Sequence, residues 1–165
     1  MIIRHETPAD TPRIHALTQD AFADIEHSSH TEAAIIDALR RAGALTVSLV
    51  AVRDGEIIGH VAFSPVLMDG VDLGWSDLGP VSVAPGHQRA GVGTALIEAG
   101  LRALRERGAA GCVVLGDPDY YRRFGFTSKH ALRYADVPPR NFQSMALAGG
   151  PASGEVSYHE GFKAR

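Results

Sequence analysis

At 165 residues with a formal net charge of -3, the chain has the length of one domain and lacks the basic balance of a general nucleic-acid binder. With 45% hydrophobic and 21% charged residues, it carries enough apolar material for a sizeable soluble core, and no apolar run reaches membrane-spanning length. The single cysteine, Cys112, excludes an intrachain disulfide and a cysteine-rich metal centre, and the opening MIIRHETPAD holds no signal-peptide core, so a cytoplasmic location is expected.

Ile2 to His5 reads as a short strand. Thr7 and Pro8 then mark a helix start, as N-cap and first helical residue. Ile14, Leu17, Ala21 and Phe22 recur at helical spacing. After a polar break from Glu26 to His30, a second helix is predicted with the face Ala34, Ile35, Ala38 and Leu39, stopped by Gly43. Leu45 to Arg53 is rich in β-branched residues and predicts a strand. Asp54-Gly55 predicts a hairpin turn, and Glu56 to Leu67 is the return strand, with Gly59 as a bulge or close-approach point. Asp69-Gly70 is a second turn, and Val71 to Val83 a further strand region.

Gly93 to Arg107 is the strongest helix signal, with Leu96, Ile97, Leu101 and Leu104 in one stripe. Gly111 to Leu115 predicts a short strand, and Asp117-Pro118 opens a short helix running to Phe124. Weak strands are expected near Gln143 to Leu147 and Val156 to His159. Hairpins come early and strand–helix crossovers late, which predicts an α/β fold: a mixed sheet with helices on both faces.

The segment Leu78 to Leu96, LGPVSVAPGHQRAGVGTAL, carries the chemistry. A valine-rich strand ends at Pro85. A basic corner follows, and Gly91 and Gly93 open the long helix. Glycines permit a tight turn and close approach of backbone to ligand. The free N–H groups of the helix start carry partial positive charge, Arg89 adds a full charge and Thr94 a hydroxyl, so a pyrophosphate suits the turn. No Gly-Lys-Ser/Thr follows, which excludes a P-loop, and Leu96 occupies the third small position of the dinucleotide fingerprint. A plain strand-to-helix turn without ligand is the alternative.

The run Gln88-Arg89-Ala90-Gly91-Val92-Gly93 resembles the Gln/Arg-x-x-Gly-x-Gly/Ala signature of the GNAT superfamily of acyl-CoA N-acyltransferases. One helix and one strand later, Tyr121-Arg122-Arg123-Phe124-Gly125-Phe126 resembles that family's second block, a tyrosine, three residues, then Gly-Phe. The likeness covers roughly residues 1 to 130. Gly116 to Tyr121, a Gly-Asp-Pro-x-Tyr-Tyr segment, is similar to small bacterial predicted acetyltransferases, in which residues 131–165 form C-terminal strands of the same single domain.

The resemblance implies a sheet that splays at the strand before the glycine turn, with acetyl-CoA as co-substrate and no metal. Pantetheine would lie along the backbone of Val81, Ser82 and Val83, facing Cys112 to Leu115, and the pyrophosphate on Gln88, Arg89, Ala90, Gly91, Val92, Gly93 and Thr94. The implied reaction is attack of a primary amine on the thioester in a ternary complex. That reaction needs a neutral amine, an oxyanion donor and a proton for the leaving sulfur. Tyr121 matches the family's proton donor and would also touch the cofactor. Tyr120 lies about 100° away on the same short helix. Asp77 stands where some members carry a catalytic Glu, and the bland reading is a surface polar residue. Glu26, His27, His30 and Glu32 sit on the acceptor side and are candidate substrate contacts.

His27 and His30 lack a clear third metal ligand. Cys112 reads as a buried small hydrophobe. Arg122 and Arg123 are either phosphate contacts or a solvated helix face, and Trp75 either lines the acceptor cleft or covers a sheet edge. The expected partner is a small-molecule or peptide amine, with neither nucleic acid nor membrane involved and a homodimer left open. A non-catalytic acyl-CoA-binding regulatory or interaction protein is the alternative function.

Overall fold

The computed structural model describes residues 1–165. Its strands are β1 (Ile2–His5), β2 (Val47–Arg53), β3 (Glu56–Met68), β4 (Trp75–Val83), β5 (Gly111–Leu115), β6 (Ala131–Arg133), β7 (Phe142–Ala146) and β8 (Ser153–Tyr158). Its α-helices are α1 (Thr11–Phe22), α2 (Glu32–Arg41), α3 (Val92–Glu106) and the short α4 (Pro118–Tyr121). The main sheet runs β1-β2-β3-β4-β5-β7, and β8 joins the far end of β3 and carries β6. All neighbours in the main sheet are antiparallel except β4 and β5. The mixed sheet flanked by helices is therefore as the sequence predicts, with β6 the one strand it does not show.

Local chemistry accounts for most of the elements. Asp54 and Gly55 take φ values of +52° and +77°, and Asp69 and Gly70 +50° and +79°, the left-handed pairs that suit two-residue hairpins. Pro8 begins a single 3-10 turn rather than the α-helix itself, which starts at Thr11. The Asp10 carboxylate accepts from the Thr7 N–H at 2.7 Å and closes that start.

On α2 the buried face is Ala33, Ile35, Ile36 and Leu39, so the predicted Ala34 and Ala38 lie at its flank. On α1 the core takes Ile14, Leu17 and Thr18. The predicted core positions Ala21 and Phe22 instead line an open cleft. Periodicity cannot separate an apolar cleft wall from core.

Two close approaches seat α3 on the sheet. Gly59 faces Val92 and Leu96, whose side chains would stand 2.9 Å from an added Cβ. Gly59 also flanks a register shift between β2 and β3, so it serves both predicted purposes. Gly100 lies against the ring of Phe63, which is fully buried. Helix propensity favours Gly100→Ala by about 1 kcal/mol. The Phe63 ring has no room to retreat, and overpacking of that kind costs about 1–3 kcal/mol. The expected net result is a lower melting temperature, measurable by calorimetry or circular dichroism.

The feature that creates a site lies between β4 and β5. Their parallel pairing covers only Trp75–Asp77 against Gly111–Val113. Beyond it, Val114 and Leu115 pair only with β7, and Leu78 to Val83 only with β3. The cause is a bulge in β4: Leu78 and Val81 sit opposite Phe63 and Val61, so Gly79 and Pro80 together face the single residue Ala62. Gly79 has φ +138°, a conformation open to glycine alone among common residues. A bulge of this kind bends its strand, and here the bend turns the outer edge of β4 away from β5.

Candidate active site

Below the splay, a cleft of about 540 Å³ runs between β4, the start of α3 and the end of α1. Val81 and Val83 line it from the strand, Phe22 and Ile25 from the α1 side, and Arg89 and Gly93 from the turn. Arg89 takes φ +63° and Gly91 +82°, a left-handed turn geometry that gathers N–H groups into an anion-binding concavity. Gly91 is the N-cap of α3 and has no side chain to cap it. The N–H groups of Val92, Gly93 and Thr94 therefore open on the cleft without an intrahelical partner. His87, Arg89 and Arg123 line the cleft, and no carboxylate does. The donor set suits a diphosphate, and the apolar strand and α1 face suit a slender aliphatic arm. These are the chemical parts of coenzyme A.

The short helix α4 closes one side of this cleft. The Asp117 carboxylate accepts from the Asp119 N–H and caps it. Tyr120, not Tyr121, faces the groove: its hydroxyl lies 3.0 Å from the Thr94 Oγ1, tying α4 to the first turn of α3. Arg123 lays its guanidinium over the Tyr120 ring at 4.3 Å and donates from Nε to the Tyr120 carbonyl. Both Arg122 and Arg123 are exposed, and Arg123 alone of the two lines the cleft. Tyr120 went unassigned because a one-residue offset on a four-residue helix decides which tyrosine meets the groove, and that depends on how α4 docks.

Tyr121 points inward. Its ring packs edge-on against Tyr120 at 5.0 Å and Phe126 at 6.0 Å. A Cβ on Gly116 would stand 2.5 Å from it, so glycine there makes its seat. Burial first, then the neighbouring Tyr120, Asp77 and Cys112, push its phenol up to about 12. Tyr121 stays a proton donor throughout the physiological range.

Asp77 is 3% exposed, so it is not the surface residue of the bland reading. Burial holds its carboxyl well above the usual carboxylate range. The Tyr158 hydroxyl lies beside it and eases its charge, yet falls outside hydrogen-bond geometry, leaving that hydroxyl buried without a partner. Ser64, opposite Asp77 in the β3–β4 register, also has an unpartnered buried hydroxyl. Cys112 is fully buried, and its thiol is pushed well up by burial and by Asp77. It is a neutral core residue. Trp75 is 3% exposed, packed among Val113, Phe142 and Val156. It neither lines a cleft wall as its main role nor covers an edge.

A second cleft, of about 640 Å³, lies on the far side of Tyr158, between β8, β3 and the C-terminal turn. It shares no lining residue with the first. Tyr121 and Asp77 line neither cleft: Tyr121 packs behind Tyr120 at the wall of the first, and Asp77 is buried beside Tyr158 at the wall of the second. Glu26 and His27 are exposed in the α1–α2 connection. Glu32 is held by the Ser28 hydroxyl at 2.6 Å and, with His30, lines a small separate cleft between α1 and α2. No three His, Cys, Asp or Glu side chains come together to hold a metal ion, and no helix is long and apolar enough to cross a membrane.

A splayed mixed sheet, a glycine turn feeding a helix and a tyrosine at the splay define an acyl-CoA-binding transferase fold. The chain belongs to the Acetyltransferase (GNAT) family, whose pattern matches residues 11–126. It is 41% identical over 169 residues to the uncharacterised N-acetyltransferase YhbS of Escherichia coli K12, covering 98% of both chains. Two solved structures are close. A GNAT family acetyltransferase from Brucella melitensis, in complex with acetyl-CoA, has a TM-score of 0.87 and 48% identity, covering 98% of this chain and 97% of that one. Escherichia coli YhbS in complex with CoA has a TM-score of 0.88 and 40% identity, covering 98% and 91%.

Proposed function

We propose that the protein is a cytoplasmic N-acetyltransferase, one domain across residues 1–165, that passes an acetyl group from acetyl-CoA directly to a primary amine while both are bound. The observation that carries the reading is the pair of separate clefts, with Tyr121 packed behind Tyr120 at the wall of one and Asp77 beside Tyr158 at the wall of the other. One cleft has the chemistry of a CoA site, and the other is free to take an acceptor. Acetyl-CoA supplies the activated acetyl group as a thioester.

The roles follow from chemistry. Arg89 and the N–H groups from Val92 to Thr94 hold the pyrophosphate, with Gln88 and Ala90 shaping the turn. The backbone of Val81, Ser82 and Val83, bent away from β5, offers hydrogen bonds to the amide-bearing arm. The amine nitrogen bonds the acetyl carbon and the carbon–sulfur bond breaks. Tyr121 gives its proton to the departing sulfur, and Asp77 takes the proton the amine loses. Solvent exchange then returns both groups to their starting states.

Calorimetric titration should show acetyl-CoA binding well below millimolar concentration, and a free-thiol assay with a panel of amines should then show CoA release. No binding at millimolar acetyl-CoA would sink the reading. Binding without thiol release from any amine would reduce the protein to an acyl-CoA-binding module.

A further inference from the structure

The second cleft has features that the transferase reading alone does not explain. Tyr134 and Tyr158 stack in parallel, ring centroids 4.3 Å apart and planes 10° apart, and Phe162 meets Tyr158 edge-on at 5.0 Å. Tyr158 spans the wall: its ring lines the cleft, while its hydroxyl is buried beside Asp77 with no partner. A buried hydroxyl without a partner costs about 1–3 kcal/mol, and a native fold tolerates that where a ligand completes the bonding. The Ser64 Oγ, across β3 from Asp77, is a second such group. Around the cleft stand Asp72, Glu155 and Glu160; Glu155 pairs with Arg133 and Glu160 with Lys163, which leaves Asp72 as the carboxylate outside an ion pair.

We propose that this cleft, and not the α1–α2 connection, seats the acceptor, and that the acceptor is a small molecule bearing a primary ammonium group. The inference rests on the transferase reading above. A primary amine with a pKa near that of lysine, about 10.4, arrives as a cation at neutral pH. Aromatic faces and the Asp72 carboxylate at the rim attract such a cation. A volume of about 640 Å³ falls in the range of small-molecule sites. The ammonium reaches inward past the Tyr134–Tyr158 stack and donates to the Tyr158 hydroxyl oxygen beside Asp77; it gives one proton to solvent to free its lone pair before attack, and Asp77 takes the second as the amide forms. Tyr158 is thus an acceptor-binding residue.

Benzylamine and 1,5-diaminopentane serve as probes with the full chain. Two variants separate the roles: Tyr158→Phe removes only the hydroxyl, and Leu67→Trp fills the cleft from its rim, where Leu67 is 38% exposed. Each is expected to raise the KM for the amine by about tenfold or more, the worth of a hydrogen bond to a charged group, while the dissociation constant for acetyl-CoA stays within about twofold. An unchanged amine KM, or equal loss of acetyl-CoA affinity, overturns the proposal. Chemical-shift mapping with the same amines on labelled protein gives a readout free of turnover. Shifts at Tyr134, Tyr158 and Phe162 support the site, and shifts confined to Glu26–Glu32 overturn it. If wild-type protein binds amines in this cleft but releases no CoA, the transferase reading fails while the site stands.

Discussion

Replacing Tyr121 with phenylalanine is expected to lower turnover by roughly 100-fold, the lower end of what a positioned general acid contributes, with acetyl-CoA affinity almost unchanged. The ring of Tyr121 packs on Gly116, Tyr120 and Phe126, and phenylalanine keeps all of that packing. Only the proton for the leaving sulfur is lost. With the phenol pushed up to about 12, Tyr121 also produces no alkaline limb in the rate below about pH 11. Steady-state kinetics across pH check both points. Loss of acetyl-CoA affinity equal to the loss of turnover would make Tyr121 a binding residue and return the acid role to another group. Tyr120→Phe is the matched control, since its hydroxyl bonds Thr94 at the cleft.

Asp77→Asn carries the second large effect, and it has two opposite signs. As the base, Asp77 works ionised, so kcat/KM should fall as pH drops through its folded pKa. Burial raises that pKa, so the acid limb lies above the usual carboxylate range. Asparagine should remove the limb and cut turnover by roughly 100-fold or more. Stability moves the other way. A carboxyl whose folded pKa is raised binds its proton more tightly in the native state than when unfolded. Its contribution is fully present below the unfolded pKa, near 3.9, and is lost as pH rises through the folded pKa. Above that folded pKa the wild type therefore holds an unfavourable buried charge that Asp77→Asn lacks, and the variant should melt at a higher temperature. Below the unfolded pKa that advantage should vanish. A variant that loses activity and also melts lower across the whole pH range would mark Asp77 as structural.

Much of the fold is legible in the residues because it rests on local rules. Asp-Gly pairs make the hairpin turns, the stripe Leu96, Ile97, Leu101 and Leu104 makes α3, and β-branched runs make β2 and β3. The Gly91–Gly93 turn and the Tyr121 block are legible for a related reason: each is a short run whose backbone demands are met by few residue types. What stayed ambiguous in the sequence are the places where one property has two causes. Ala21 and Phe22 have core-like periodicity yet line the cofactor cleft. Asp77 has the composition of a surface position and is buried. Tyr120 and Tyr121 are neighbours on a single helical turn, and only the docking of α4 sends one hydroxyl to Thr94 and the other ring inward.

The sequence by itself determined the elements, the anion-holding turn and the family, because hydrophobic period, turn chemistry and glycine placement act within a few residues along the chain. The tertiary structure alone decided what those elements bring together. The bulge at Gly79 and Pro80 opens β4 from β5 only because β3 holds the other edge in register. Asp77 becomes buried beside Tyr158 only because β8, from near the end of the chain, pairs with the far end of β3. Contacts across such separations carry no periodic or local signature, so the two clefts, and with them the seat proposed for the acceptor, exist only in the folded chain.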